Sequence, residues 1–76
     1  MRTMDFTTEN LDLFEIGQEY EVTEYPLPSS YYYIMEHALG ISANFVNAQR
    51  LKTRKGVVRD KKATAKFNFV VLEFDE

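Results

Sequence analysis

The chain has 76 residues, no cysteine and a single histidine, His37. That excludes disulfide staples, cysteine-based metal sites and more than one domain, and leaves the core to be built from six Phe, five Tyr and the aliphatic residues. The net charge of −3 hides a split: residues 50–66 carry eight basic side chains against Asp60, and the remainder carries Arg2 against eleven acids.

Residues 3–6 read as a short leading strand, followed by a turn through "TTEN". In "LFEIGQEYEVTEY" (13–25), Ile16, Gln18, Tyr20 and Val22 fall on one face of a strand and Glu19, Glu21, Thr23 and Tyr25 on the other, with Gly17 easing the entry. "PLP" (26–28) ends that strand, because proline cannot donate to a ladder. "SSYYYIMEHALG" then predicts a helix. Ser29 or Ser30 caps its start and Gly40 follows its end, while Tyr31, Ile34, Met35, Ala38 and Leu39 form one buried stripe. Tyr32, Tyr33, Glu36 and His37 are left facing outward.

In "ISANFVNAQ" (41–49), a brief turn capped by Ser42, with Ile41 packing on Val46, leads into a strand. The last third predicts a β-hairpin with arms at about 48–59 and 66–74 around the loop "DKKATA". Leu51 and Thr53 point inward, Arg50, Lys52 and Arg54 point outward, and Gly56 marks a bulge. "KFNFVVLEF" is apolar on both faces and reads as a central strand covered on both sides. The expected fold is therefore α+β over residues 1–76: a small antiparallel sheet of three to four strands in β–α–β–β order, with one helix packed on it. A small SH3-like barrel with an inserted helix is the alternative.

Catalysis finds little support, so a non-enzymatic protein is expected. Glu36, His37 and Tyr33 offer acid–base groups, but they point in different directions on a helix and no nucleophile or phosphate loop accompanies them. The acids at 73–76 and near the start lack calcium-loop spacing, so neither a metal nor a cofactor is expected. "MRTMDFTTENLDLFE" lacks the apolar run of a signal peptide and no stretch approaches ~20 apolar residues. The expectation is a cytoplasmic protein that does not meet a membrane.

Two binding surfaces remain. Outward tyrosines are favoured anchors at protein interfaces, which makes Tyr32, Tyr33, Glu36 and His37 the candidate contact for a protein partner or a second copy of the chain, a homodimer. That non-catalytic interaction module is the leading expectation. The alternative is a nucleic-acid-binding accessory domain using Arg50, Lys52, Arg54, Arg59, Lys61 and Lys62 on phosphates. Against it, Glu19 and Glu21 are expected to pair across strands with Arg50 and Lys52. "AKFNFVVL" shares only Phe67, Phe69 and Val70 with the RNA-recognition-motif pattern, and both Phe are assigned to the core.

From Ser30 onward, "SYYYIMEHALG…QRLKTRKGVV…FVVLEFDE" resembles a group of short, uncharacterised proteins of Gram-positive bacteria. The resemblance covers about half the chain and rests on the aromatic helix start, "RLKTRKG" and the acidic end. It implies a bacterial, cytoplasmic accessory protein from a mobile or variable part of a genome, and brings no activity, cofactor or site residues.

Overall fold

Strand periodicity dominates this chain. The computed structural model describes residues 1–76 and contains β1 Arg2–Thr8, β2 Glu19–Pro26, β3 Tyr31–Met35, β4 Ile41–Ser42, β5 Lys55–Ala63 and β6 Asn68–Phe74. They close into one antiparallel barrel in the order β1-β4-β3-β2-β5-β6. The meander β2–β3–β4 is followed in space by β1, a Greek-key arrangement. Closure leaves no long unpaired edge to template association.

The expected α+β sheet with a packed helix is thereby overturned. The only helical pieces are 3₁₀ turns at Leu11–Leu13, Glu36–Ala38 and Asn47–Gln49. The small closed barrel held as the alternative fits, with strand β3 where its inserted helix was expected. No helix is long and apolar enough to cross a membrane.

The helix fails because "YYYIM" is rich in aromatic and β-branched residues that suit a pleated surface, and a ten-residue helix is marginal without tertiary support. Tyr31–Met35 instead finds partners on both sides. Val22 faces Met35 and Tyr25 faces Tyr32 in β2, and Ile34 faces Ile41 in β4. Alternation then buries Tyr33 and Met35 and leaves Tyr31, Tyr32 and Ile34 only partly covered. The expected stripe through Tyr31, Ile34, Ala38 and Leu39 does not exist as a core face, and Tyr33, expected outside, is fully buried.

The β3–β4 turn puts His37 at φ 57° and Ala38 at φ 54°. Two successive non-glycine residues in the left-handed region are uncommon, each costing roughly 1–2 kcal/mol. Gly40 follows at a point where a Cβ would sit 3.2 Å from both the Cβ of Phe6 and the carbonyl oxygen of Thr7. Ser42 does not cap a turn; its Oγ accepts the Tyr33 N–H at 2.9 Å.

Inside the barrel, Met4, Phe6, Tyr20, Val22, Tyr33, Met35, Val58, Val70, Leu72 and Phe74 pack with Phe14 and Leu51, which come from connecting segments. Tyr20 and Val22 occupy the face expected of them, whereas Ile16 lies before β2 and is exposed. Gly56 is not a bulge. It faces Phe74 in regular register, and a Cβ there would lie 2.9 Å from the Phe74 ring. The irregularity falls between Val58 and Asp60 instead, making Arg59 the extra residue.

Candidate nucleic-acid interface

The Arg59 bulge decides which cations reach the outer face. Val58 points inward opposite Leu72, and an unbroken alternation would send Asp60 and Lys62 inward as well. The register shift instead sets Asp60 opposite Val71, Lys61 opposite Val70 and Lys62 opposite Phe69. Lys61 therefore shares the inward side, and its ammonium donates to the Phe14 carbonyl at 3.0 Å at the mouth of the barrel. Lys62 goes outward beside Phe69 and pairs with Asp5 at 3.1 Å.

The β5–β6 turn holds Phe67 out. Thr64 Oγ1 accepts the Phe67 N–H and donates to the Phe67 carbonyl, both at 3.0 Å. The side chain of Phe67 stands above the sheet, 54% exposed, with its ring centroid 6.2 Å from that of Phe69. This corrects the assignment of both rings to a core strand covered on both sides: Phe67 is outside and Phe69 is half-buried on the outer surface. Lys66, next to Phe67, makes no ion pair. From Lys55 to Asn68 the hairpin carries Lys55, Arg59, Lys61, Lys62 and Lys66 against Asp60, a balance of +4.

The six basic candidates do not form one surface. Arg50, Lys52 and Arg54 precede β5, in the loop that closes the barrel near Glu24 and Glu76. Arg50 donates to Glu24 through Nε and Nη2, the shortest bond being 2.7 Å, and Arg54 Nη2 lies 3.5 Å from the same carboxylate. Those hydrogen bonds from Arg50 hold the Glu24 carboxyl below its usual range, against the burial that opposes ionisation. The Arg50 guanidinium also lies over the Tyr31 ring at 4.6 Å.

At Glu76, burial would raise the carboxyl, but donation from the Lys52 and Thr53 backbone N–H groups and the Thr53 hydroxyl lowers it on balance, with Arg2 adding a contact. Arg2 also donates to the Gln49 carbonyl, tying β1 to this loop. The expected pairing of Glu19 and Glu21 with Arg50 and Lys52 does not occur, because those glutamates face Val57 and Lys55 in β5. Glu24, not assigned a role from sequence, does the neutralising. Arg59 keeps a bond to Glu73 at 2.8 Å yet remains half-exposed.

The partner-binding candidates separate too. Tyr33 is in the core, where its hydroxyl bonds Glu24 and Leu51, and burial pushes that hydroxyl up. Tyr32 stacks on Tyr25 at 5.2 Å. Glu36 accepts the Glu21 N–H at 2.8 Å and lies 3.7 Å from an exposed His37. Tyr32 lies within β3, whereas Glu36 and His37 lie in the turn that follows it. No group of three His, Asp or Glu side chains converges as a metal site.

The hairpin tip faces the β3–β4 turn across an open groove of about 960 Å³. Its lining includes Ile34, Leu39 and Ile41, the amides of Asn10 and Asn68, and Lys66 and Phe67 from the hairpin turn. Sequence reasoning left Lys66 out of the binding candidates and assigned Phe67 to the core. The available signal was "TAKF", a threonine-led turn next to a basic residue, which marks Phe67 as a loop position. Compared with protein-family models, curated proteins and solved structures, the chain matches none.

Proposed function

We propose that this barrel is a non-catalytic, single-stranded nucleic-acid-binding accessory domain acting in the cytoplasm. The observation that carries the reading is Phe67. An exposed aromatic ring tilted against Phe69, with Lys62 opposite Phe69 in the ladder and Lys66 next to Phe67 in the chain, is the combination by which small barrels stack bases and track a phosphate backbone. Base–aromatic stacking tolerates any sequence and contributes about 1–3 kcal/mol per base. Arg59, Lys62 and Lys66 supply phosphate contacts in this reading. Arg50 and Arg54 are committed to Glu24 and contribute structure.

The ion pairs Lys62–Asp5 and Arg59–Glu73 do not remove these cations from use. Both are surface pairs with the basic partner about half-exposed, and such pairs are worth only about 0–1 kcal/mol. A phosphate competes readily at that level.

The test is fluorescence anisotropy with a labelled oligothymidylate and a labelled duplex of the same length, between about 50 and 200 mM salt. The expected result is preference for the single strand, with affinity falling as salt rises. Lys62→Gln and Lys66→Gln should each flatten the salt dependence, by about 0.7 in log–log slope per lost contact. Phe67→Ala should weaken binding at every salt concentration while leaving the slope unchanged. Absence of binding at the lowest salt, or an undiminished affinity in Phe67→Ala, overturns the reading.

A further inference from the structure

The Glu76 side chain sits among donors that converge on a single anion. Its Oε2 accepts the Lys52 N–H at 2.9 Å, the Thr53 N–H at 3.0 Å and the Thr53 hydroxyl at 3.0 Å. Its Oε1 accepts from Arg2 Nη1 at 3.2 Å. Two successive backbone N–H groups turned toward one anion form a nest, the concavity by which irregular loops hold phosphate. Burial would raise this carboxyl, and the Lys52 and Thr53 donors lower it on balance, so the loop stabilises negative charge.

The donor set suits a larger anion than a carboxylate. A carboxylate oxygen has two lone pairs, yet Oε2 takes three donors while Oε1 takes one. A phosphate monoester spreads nearly two charges over three acceptor oxygens, so the same four donors divide among separate atoms. Lys52, exposed and outside every ion pair of the chain, adds a further cation on the residue that supplies the first N–H.

Groups other than Glu76 also hold the nest in shape. Arg54 Nη1 donates to the Leu51 and Thr53 carbonyls, both at 3.0 Å, and the Tyr33 hydroxyl accepts the Leu51 N–H. Arg2 is fixed by its bond to the Gln49 carbonyl and by the Phe45 ring, 5.8 Å from its guanidinium. The donors therefore stay gathered when the carboxylate leaves.

We infer that Arg2, Lys52 and Thr53 form a binding site for a phosphate monoester dianion, and that Glu76 is its internal stand-in, displaced when phosphate binds. The site is separate from the stacking surface at Phe67 and does not depend on it. A dianion of this chemistry comes from the terminal phosphate of a nucleic-acid strand or from free inorganic phosphate.

The experiment titrates the full chain, labelled with ¹⁵N and ¹³C, with inorganic phosphate while chloride keeps the ionic strength constant. In wild type, the Lys52 and Thr53 amide signals and the Glu76 carboxyl signal should move together and saturate. Glu76→Ala should bind phosphate about tenfold tighter, because a latch closed in about nine molecules of ten lowers apparent affinity by that factor. Adding Thr53→Val should then weaken binding by about tenfold, the scale of one hydrogen bond to a charged group. Equal movement in chloride alone, or unmoved Lys52 and Thr53 signals in both wild type and Glu76→Ala, overturns the inference. Where Glu76→Ala folds poorly, the wild-type titration decides by itself.

A 5′-phosphorylated octathymidylate and its 5′-hydroxyl counterpart separate the two sources. Tighter binding of the phosphorylated strand to Glu76→Ala, with Lys52 and Thr53 moving for that strand only, assigns the site to a strand end. Equal binding of the two strands, with inorganic phosphate still moving both signals, assigns it to the free ion. Binding of neither strand overturns the stacking surface and leaves the phosphate site standing.

Discussion

The Tyr33 hydroxyl donates to Oε2 of Glu24 at 2.8 Å and in the same place accepts the Leu51 N–H at 2.8 Å. One phenol from β3 thus joins β2 to the loop that closes the barrel. Glu24 extends the network to Arg50 and Arg54, so both arginines are spoken for structurally.

Replacing Tyr33 by Phe keeps the ring and strands the buried Leu51 N–H. The expected cost is about 1–3 kcal/mol, the penalty of an unsatisfied buried donor. Urea denaturation monitored by circular dichroism measures it. A midpoint equal to that of wild type would mean that water or another group replaces the hydroxyl.

Glu24 and Glu76 both have carboxyls lowered in the folded state. Their stabilisation is therefore fully present above the unfolded-state value of about pH 4.3 and is lost as pH falls through the lower folded values. Thermal melts should show Tm declining on that acid limb. Glu24→Gln should start from a lower Tm and lose less on acidification than wild type, since its contact at position 24 does not titrate.

Gly56→Ala introduces a Cβ 2.9 Å from two ring carbons of Phe74 and 3.0 Å from the Leu72 Cβ. Both neighbours are fully buried, so relief requires a shift of the packed ring. Destabilisation of about 1–3 kcal/mol is expected from such overpacking. Stability gained by the substitution would show that the Phe74 ring has another place to go.

Ala38→Gly acts in the opposite direction. Removing the left-handed penalty of roughly 1–2 kcal/mol is offset by about 0.4–1 kcal/mol of extra freedom in the unfolded chain. A net gain of about 0.5–1 kcal/mol follows, readable as a higher urea midpoint. The same change lies on the groove lip, so a gain in stability accompanied by weaker oligonucleotide binding would mark the strain as functional.

Local pattern by itself determined the leading strand, the face of β2 that buries Tyr20 and Val22, and the existence of a basic terminal hairpin. Those features depend on alternation and turn residues, which act over a few positions. Tertiary structure decided the rest. "YYYIMEHAL" satisfies both a helical stripe and a strand alternation, and pairing with β2 and β4 on either side selects the strand, turning Tyr33 from a surface candidate into a core residue. The arms of the last hairpin fall at Lys55–Ala63 and Asn68–Phe74, and the bulge at Arg59 lies in the pairing of β5 with β6, a fit between strands that alternation along one strand does not report. That one extra residue puts Lys61 at the barrel mouth and Lys62 beside Phe69. Likewise "KFNFVVLEF" is apolar on both faces, and only barrel closure determines that Val70, Leu72 and Phe74 fill the interior while Phe67 and Phe69 stand outside. A closed barrel has one interior, too small for both faces of its last strand.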